Sequence, residues 1–514
     1  MKKLLYILGG LILGNSAQAQ IGIEMFDESY VHEIRIEFED TVTYWDSLTY
    51  YYTDFIDNGA AKKYMWAQVT IDGELLDSVG VRQKGNYSNW GQEGTKKPLK
   101  LDFNEFVSGQ KYDGLKKLNL ANGMKDPSMM RDAVSYKFMR DAGIKAPRTS
   151  YSKVYINDIY WGLYLNVEQV DSRFLKYYFP EDEGDLYKCM NNTNLDYQGT
   201  NPIQYQDEFE LKTNETTGDW NEFIHMVDNI NNTPAADMYD SLFSVIDMNN
   251  YLEILASDVL LYNWDSYYDH GRNFYIYNNP EINKFTWIPW DYNLSFSNNG
   301  TNIIITYPQF GPFSPDPKPL VLDVMDDAGL KTIYMNKLCV LRDNYFNNAN
   351  LDGYIDQTAA LIRADLDADT AKFYTINEFD DNITSDVSVT TFDPYWGFPS
   401  IENFPGLKDF ITDRGNTVTT QLNQQGHTCT TLGINDVKFE NTATVFPNPG
   451  NTLTQIQTSA PSKVKVYNNV GKLIMQNNAL AQQHQLNISD FAAGIYMIKI
   501  EFENETITQK LIIK

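Results

Sequence analysis

Near residue 436 this chain of 514 residues stops being acidic and begins to alternate. Residues 436–514 carry seven Lys/Arg against six Asp/Glu, whereas residues 20–435 carry 32 against 62, so the acidity belongs wholly to the body. In the tail, Val464-Lys465-Val466-Tyr467, Ile495-Tyr496-Met497-Ile498-Lys499-Ile500 and Lys510-Leu511-Ile512-Ile513 are apolar runs that alternate with polar residues. Asn468-Asn469 and Gly471-Lys472 supply turns. A period of two fixes one face of a strand on a core and leaves the other in solvent. Short strands of this kind imply a small all-β sandwich. The body needs a fold of its own. The chain therefore divides into residues 20–435 and 436–514, preceded by residues 1–19.

Residues 1–19 have the order of an export signal. Lys2 and Lys3 come first, then an apolar run from Leu4 to Leu13, then Ala17-Gln18-Ala19 as a small-residue cleavage site. The run is too short to span a bilayer, and no later segment reaches the roughly 18 uncharged apolar residues that a transmembrane helix needs. The expectation is an exported protein without a transmembrane segment. Export permits one disulfide among Cys189, Cys339 and Cys429, and the spacing does not select the pair. With five His, no HExxH and no CxxC, the chain gives little support to a zinc site or a Ser-His-Asp hydrolase. A net charge of −27 repels phosphate backbones and anionic lipid, which argues against nucleic acid as the main partner. Nucleotide binding by such a chain requires a divalent metal or a local basic pocket.

Within the body, strands are expected at Val31–Phe38, Tyr64–Ile71, Val79–Lys84 and Leu99–Phe103, with a hairpin turn at Asp72-Gly73. Asp126-Pro127-Ser128 reads as the start of a helix over Met130–Ala142 that stops at Gly143. Tyr151–Ile156 and Tyr160–Val167 form a hairpin around Asn157-Asp158. From Met248 onward helices dominate, at Asn250–Tyr262, Leu320–Asn344 and Asp352–Asp369. The order predicts an α+β fold with two lobes, β-rich first and helical second.

The stretch richest in chemistry runs from Tyr262 to Asn293. A helix ends near Asn263 and delivers Asp265 onto a loop; residues 273–277 and 285–289 are strands joined by a turn. With that turn centred near residue 281, Asn273 faces about Pro289 across an antiparallel ladder. Asn273 and Asp291 then share the open end of the hairpin with the loop carrying Asp265. Phosphoryl transfer uses this set: one Asp orients the attacking hydroxyl and takes its proton, while an Asn and a second Asp hold Mg²⁺ or Mn²⁺ across the phosphates. Hard oxygen ligands with no Cys nearby disfavour zinc. The same residue types equally suit the caps of a helix and a hairpin.

A second cluster lies in Gly80-Val81-Arg82-Gln83-Lys84-Gly85-Asn86-Tyr87-Ser88 and Lys96-Lys97-Pro98-Leu99-Lys100-Leu101-Asp102-Phe103. Leu99, Leu101 and Phe103 fall on one face of a strand and Lys100 on the other. Arg82, Lys84, Lys97 and Lys100 would suit a polyphosphate. They would also suit a solvated edge strand, where Lys is common.

In order along residues 25–425, these pieces resemble the spore-coat-protein-H (CotH) kinase family, an atypical protein-kinase-like group. The matching residues are Gly80-Val81-Arg82, Lys84-Gly85-Asn86 and Ser88, the Lys97–Phe103 strand, Leu118-Asn119-Leu120, and Asp126, Ser128 and Arg131. Further along they are Tyr155-Ile156-Asn157, Tyr160, Gly162-Leu163-Tyr164, Glu168, Asp171 and Phe174, then Asn263-Trp264-Asp265, Asn273, Tyr275 and Pro289-Trp290-Asp291. The resemblance implies ATP bound between two lobes and phosphorylation of Ser/Thr on a secreted or surface protein. It implies Asp265 as catalytic base, Asn273 and Asp291 as ligands of Mg²⁺ or Mn²⁺, and Lys97 or Lys100 as the phosphate lysine, with Arg82 and Lys84 in the same cofactor-binding group. Glu168 matches as an acidic residue whose role the resemblance does not fix.

The pattern departs from ordinary kinases. Asn273 lies eight residues after Asp265 rather than five, Asp291 is followed by Tyr292-Asn293 rather than Phe-Gly, and no GxGxxG is present. Asp269 competes with Asp265 as base. In the tail, Phe446-Pro447-Asn448-Pro449, Val466–Lys472, Leu486–Ser489, Gly494-Ile495-Tyr496 and the terminal Lys510–Ile513 resemble the C-terminal sorting domain of type IX secretion. That likeness implies handling by this machinery and passage through the periplasm and outer membrane of a Bacteroidetes-type cell, to the medium or the surface. The alternative is a non-catalytic, pseudokinase-type surface or adhesion protein of the same fold, with Ca²⁺ at the same carboxylates.

Overall fold

A computed structural model describes residues 21–91, 94–297, 305–306, 318–393 and 398–429 and, between 443 and 513, all but 447, 449, 451, 469–471, 490, 493 and 503–505. The expected export signal lies outside the described residues. The chain forms two compact units, residues 1–428 and 429–514.

The first unit opens with strand β1 (Val31–Glu37), helix α1 (Tyr44–Asn58), strands β2 (Met65–Ile71) and β3 (Glu74–Gln83) and a one-turn helix α2 (Tyr87–Trp90). Strands β4 (Leu99–Asp102) and β5 (Lys117–Ala121), helix α3 (Arg131–Asp141) and the hairpin β6 (Thr149–Ile156) and β7 (Ile159–Glu168) follow. Asp72 and Gly73 both take positive φ, 49° and 89°, as a two-residue hairpin turn between paired strands requires. Asn157 and Asp158 do the same between β6 and β7. The seven strands close into a barrel in the order β1-β2-β3-β4-β5-β7-β6. Closure comes from β6, which pairs parallel to β1 with Ile34 opposite Val154, and from β7, which pairs with β5. The hairpin expected at the transition to helices is thus part of the barrel wall. Alternation explains the interior: Ile34, Ile36, Val69, Val81, Leu99, Leu101, Leu118, Leu120, Val154 and Ile156 are all buried in one cluster. Each such side chain contributes about 1.5–3 kcal/mol by leaving water. Helix α1 falls where only strands are expected; its aromatic residues pack partly on the barrel, with Tyr44 and Leu48 buried.

Next come α4 (Ser172–Tyr178), β8 (Leu186–Cys189), β9 (Phe209–Leu211), α5 (Trp220–Asn232), α6 (Met238–Val245), α7 (Met248–Leu261) and the hairpin β10 (Phe274–Asn279) and β11 (Lys284–Pro289). Helices α8 (Pro319–Asp326), α9 (Ala328–Asn344), α10 (Asn348–Ala368) and α11 (Ile376–Asn382), the hairpin β12 (Val387–Asp393) and β13 (Phe398–Phe404), and α12 (Leu407–Gln424) complete the unit. Strands β11-β10-β8-β9 form a four-stranded antiparallel sheet. Helix α7 is buried on nearly every face, from Tyr251 to Leu261. The single helix expected over Leu320–Asn344 is two, because Asp327 ends α8 and caps α9 by accepting the Leu330 N–H at 2.8 Å. Sheet-rich residues precede helix-rich ones, and the class is mixed α and β.

In the second unit, β14 (Ala443–Phe446), β15 (Leu453–Asn468), β16 (Leu473–Asn487), β17 (Gly494–Glu501) and β18 (Thr506–Ile513) make one connected antiparallel sheet. The long β15 pairs with β16, β14 and β17. Its alternating Ile456, Val464 and Val466 join Leu486, Ile498, Ile500 and Leu511 in a separate core. Cys189 is a free, buried thiol, while Cys339 and Cys429 carry disulfide bonds. No helix among the described residues is long and apolar enough to cross a membrane.

Candidate active site

Helix α7 ends at Tyr262, whose φ of 44° breaks the helical path and starts the loop carrying Asp265. Gly271 brings that loop back toward β10. Its φ is +69°, and a Cβ there would stand 2.1 Å from the Thr193 carbonyl oxygen, so only glycine fits. Asn273 then donates from its side-chain amide to the Asp265 backbone carbonyl and carboxylate, both at 2.9 Å. Across the hairpin Phe274 faces Pro289, and the Trp290 N–H donates to the Asn273 carbonyl at 3.2 Å. Asn273 is therefore opposite Trp290, one residue from the expected register, with Asp291 beside it. Asn273 and Asp291 each hold left-handed backbone, φ 61° and 64°. Asn and Asp tolerate that conformation best after Gly, and such strain collects where surrounding structure enforces it for use. Asp291 is exposed, and Asp265 and Asn273 are half-buried, so this end of the hairpin is open.

Burial pushes the Asp265 carboxyl up to about 7, and the Asp291 charge adds to the effect. The Arg272 guanidinium, 3.2 Å away, and the Asn273 amide oppose it. A carboxyl poised near neutrality within reach of solvent can accept a proton from a bound hydroxyl. Asp132, near the start of α3, is pushed by burial up to about 8, again with the Asp291 charge contributing. The Asp291 charge thus acts on both Asp265 and Asp132. Among the described residues no group of three or more His, Cys, Asp or Glu has the geometry of a metal centre. The donor set around Asp291 is two carboxylates and an amide, hard oxygens that suit a small divalent ion, and the mutual repulsion of the acids is what such an ion would relieve.

Facing the acids is a wall of cations on the outer face of the barrel. Register places Arg82 opposite Lys100, and Lys84 follows two residues along the same face. Lys188, from β8, approaches from the four-stranded sheet and sits over Tyr275, 6.0 Å from the ring centroid. Lys84 lies 5.8 Å from the Trp290 ring centroid and feels the charges of Asp291 and Asp132. Burial lowers Lys100 well below the usual lysine range, with Arg82, Lys188 and Lys84 adding repulsion. Burial likewise lowers Lys188 to about 8. Lys100 donates to the Gln169 side-chain amide oxygen, and the Gln169 side-chain amide nitrogen donates in turn to the Tyr275 hydroxyl at 3.2 Å. Arg82, Lys84, Lys100 and Lys188 form no ion pair among the described residues, in a chain of net charge −27. Such a wall is suited to an oligophosphate.

Two expected residues lie elsewhere. Lys97 donates to the Asn89 carbonyl at 2.7 Å, away from the wall. Glu168 stands opposite Leu118, in register with the barrel interior rather than with Lys100. There it accepts from Arg148 at 2.5, 3.0 and 3.1 Å and is fully buried. Asp269, the rival to Asp265, is also buried, beside His270. Sequence reasoning missed Asp132, Tyr136, Gln169 and Lys188. Asp132 follows Arg131 directly, so the segment Asp126–Arg131 already pointed at it; Lys188 carries no local signal, since only the pairing of β8 with β10 brings it to the site.

A family model described as CotH kinase protein matches residues 81–418, and one described as secretion system C-terminal sorting domain matches residues 444–514. Inner spore coat protein H of Bacillus subtilis (strain 168) is 24% identical over 238 residues, covering 45% of this chain and 64% of that protein. Spore coat protein homolog 1 of Rhizopus delemar is 20% identical over 270 residues, covering 48% of this chain and 41% of that protein. The matches span less than two thirds of either relative's length.

Proposed function

We propose that this chain, which belongs to the CotH kinase protein family and carries a type IX sorting domain, is an exported atypical kinase. It transfers the γ-phosphoryl group of ATP to a Ser or Thr hydroxyl of a secreted or surface protein. One observation carries the reading: Asn273 locks Asp265 at the mouth of a hairpin that also presents Asp291, opposite four cations that form no ion pair among the described residues.

In this reading Lys84, Lys100, Arg82 and Lys188 bind the phosphates and draw the nucleotide against the chain's overall negative charge. Asp265 orients the acceptor hydroxyl and takes its proton as oxygen attacks the γ-phosphorus and the bond to the β-phosphate oxygen breaks, releasing ADP. Asn273 fixes the Asp265 carboxylate. Asn273 and Asp291 would hold Mg²⁺ or Mn²⁺, which offsets charge on the phosphate oxygens when bound. The sorting domain, residues 444–514, marks the chain for export to the surface or the medium. Work in the periplasm before export is compatible with the scarcity of ATP outside.

Incubation of the full chain with Mg²⁺ and γ-labelled ATP should label the protein itself or a co-exported partner. Asp291→Ala should remove the label, and full activity in that variant would exclude this site.

A further inference from the structure

The segment Asp126, Ser128 and Arg131 touches none of the groups assigned to nucleotide or metal, yet its geometry leads to them. The Asp126 carboxylate accepts the Arg131 N–H at 2.8 Å and the Ser128 hydroxyl at 2.5 Å, which fixes the start of α3. The Arg131 guanidinium donates to Asn382 at 3.2 Å and to the Pro405 carbonyl at 3.0 Å, tying that start to α11 and to the chain just after β13. On the next residue of the helix, and one turn later, two side chains turn to the strand end. The Tyr292 N–H donates to the Asp132 carboxylate at 2.7 Å, and the Asp291 N–H donates to the Tyr136 hydroxyl at 2.8 Å. Ser135, between them, meets Ser295 hydroxyl to hydroxyl at 2.8 Å. Residues 132 and 136 are spaced i, i+4 and so share one helix face. They take consecutive backbone donors from a segment that has left the ladder and has, at Asp291, a left-handed φ of 64°.

We propose that Asp132 and Tyr136 are positioning residues that clamp the Asp291–Tyr292 backbone, hold Asp291 in its left-handed conformation and thereby set the metal-binding oxygens. The clamp rests on the reading of Asp291 as a metal ligand. Without it, two adjacent N–H groups lose their acceptors and Asp291 can relax toward the ordinary φ range. Outer-shell groups of this kind typically change metal affinity or activity by about 10–100-fold when removed.

The test uses the full chain and follows the rise in melting temperature as Mn²⁺ is titrated with a saturating non-hydrolysable ATP analogue. Wild type should show a saturable Mn²⁺ response that Asp291→Asn removes. Tyr136→Phe keeps the ring and every charge, and should move the Mn²⁺ midpoint up by about tenfold. Asp132→Asn retains an oxygen that can accept the Tyr292 N–H and should stay close to wild type, whereas Asp132→Ala should behave like Tyr136→Phe. A purely structural role would lower the melting temperature in the absence of ligand but leave the midpoint in place, which would overturn the clamp alone. Asp132→Asn failing as badly as Asp132→Ala would overturn it in favour of a charge effect. Absence of any Asp291-dependent Mn²⁺ response in wild type would overturn the reading of Asp291 and the clamp with it.

Discussion

Asp265 and Glu168 are both acids that match the family pattern, and their surroundings give them opposite work. Asp265 is half-buried at an open mouth, with burial pushing its carboxyl up to about 7. Asp265→Asn preserves an oxygen for the Asn273 amide but cannot take a proton, so phosphoryl transfer should fall by about 10²–10⁴-fold with little change in melting temperature. A phosphorylation assay beside a thermal melt separates the two effects. Glu168 is buried against Arg148, and cutting one partner out of a buried pair leaves a charge without compensation. Glu168→Gln should therefore cost stability on the order of 3–5 kcal/mol while a nucleotide titration keeps its midpoint. A third acid gives a pH signature. Asp258 is buried behind the site, accepts the Tyr292 hydroxyl, and is pushed by burial up to about 7 from an unfolded value near 3.8. The folded state then holds the proton longer than the unfolded state does. This contribution to stability is complete below pH 3.8 and is lost as pH rises to about 7. Asp258→Asn should flatten the decline between those limits when melting temperature is followed against pH, and an unchanged slope would refute the assignment.

At the scale of elements, the hairpin of β10 and β11 does the positioning, and Gly271 is where it is most exposed to error. Gly271→Ala forces a Cβ to within 2.1 Å of the Thr193 carbonyl and demands a left-handed φ of an L-residue. The loop must shift, and with it Asn273 two residues later. The expected result is loss of both melting temperature and labelling, in contrast to Asp265→Asn, where only labelling falls. How much of this was legible in the sequence follows the range of the interactions. The strands β1 to β4 and the turns at Asp72-Gly73 and Asn157-Asp158 show in local alternation and turn chemistry, and so does the shared hairpin end of Asn273 and Asp291, to within one residue of register. What escaped depends on partners distant in sequence. The parallel pairing of β1 with β6 closes the barrel over more than 100 residues, and nothing in either strand announces it. Lys188 and Asp132 reach the end of the β10–β11 hairpin for the same reason. Helix α1, with Tyr50, Tyr51 and Tyr52, has the composition of a strand, and tertiary packing overrides that preference. Asp327 shows the reverse case: a helix-breaking cap was present in the sequence, but the apolar periodicity ran through it.

Over the whole molecule the balance of charge sets a different kind of constraint. The body, with 32 Lys/Arg against 62 Asp/Glu, bears a net charge of −30, and a compact body of that sign repels itself. Many of the ion pairs that hold it join residues far apart in the chain, and buried ones such as Lys96 with Asp369 and Arg148 with Glu168 are shielded from salt by the protein around them. Added salt should therefore weaken the long-range repulsion more than it weakens those pairs, since the Debye length shrinks from about 30 Å at 0.01 M to about 8 Å at 0.15 M. Melting temperature should rise as NaCl is increased across that range. Lowering the pH from 7 toward the isoelectric value of about 4.5 should reduce the benefit of salt, because the charge being screened is itself disappearing. Arg82, Lys84, Lys100 and Lys188 run against this field. Burial already disfavours the charged form of both lysines, so replacing Lys188 or Lys100 by Met removes the cost of burying an ammonium and should stabilise the unliganded chain or leave it unchanged while weakening nucleotide binding measured by calorimetry. A loss of stability in both variants, with nucleotide affinity intact, would mean that the wall is a packing feature and that the phosphates, if they bind, bind elsewhere.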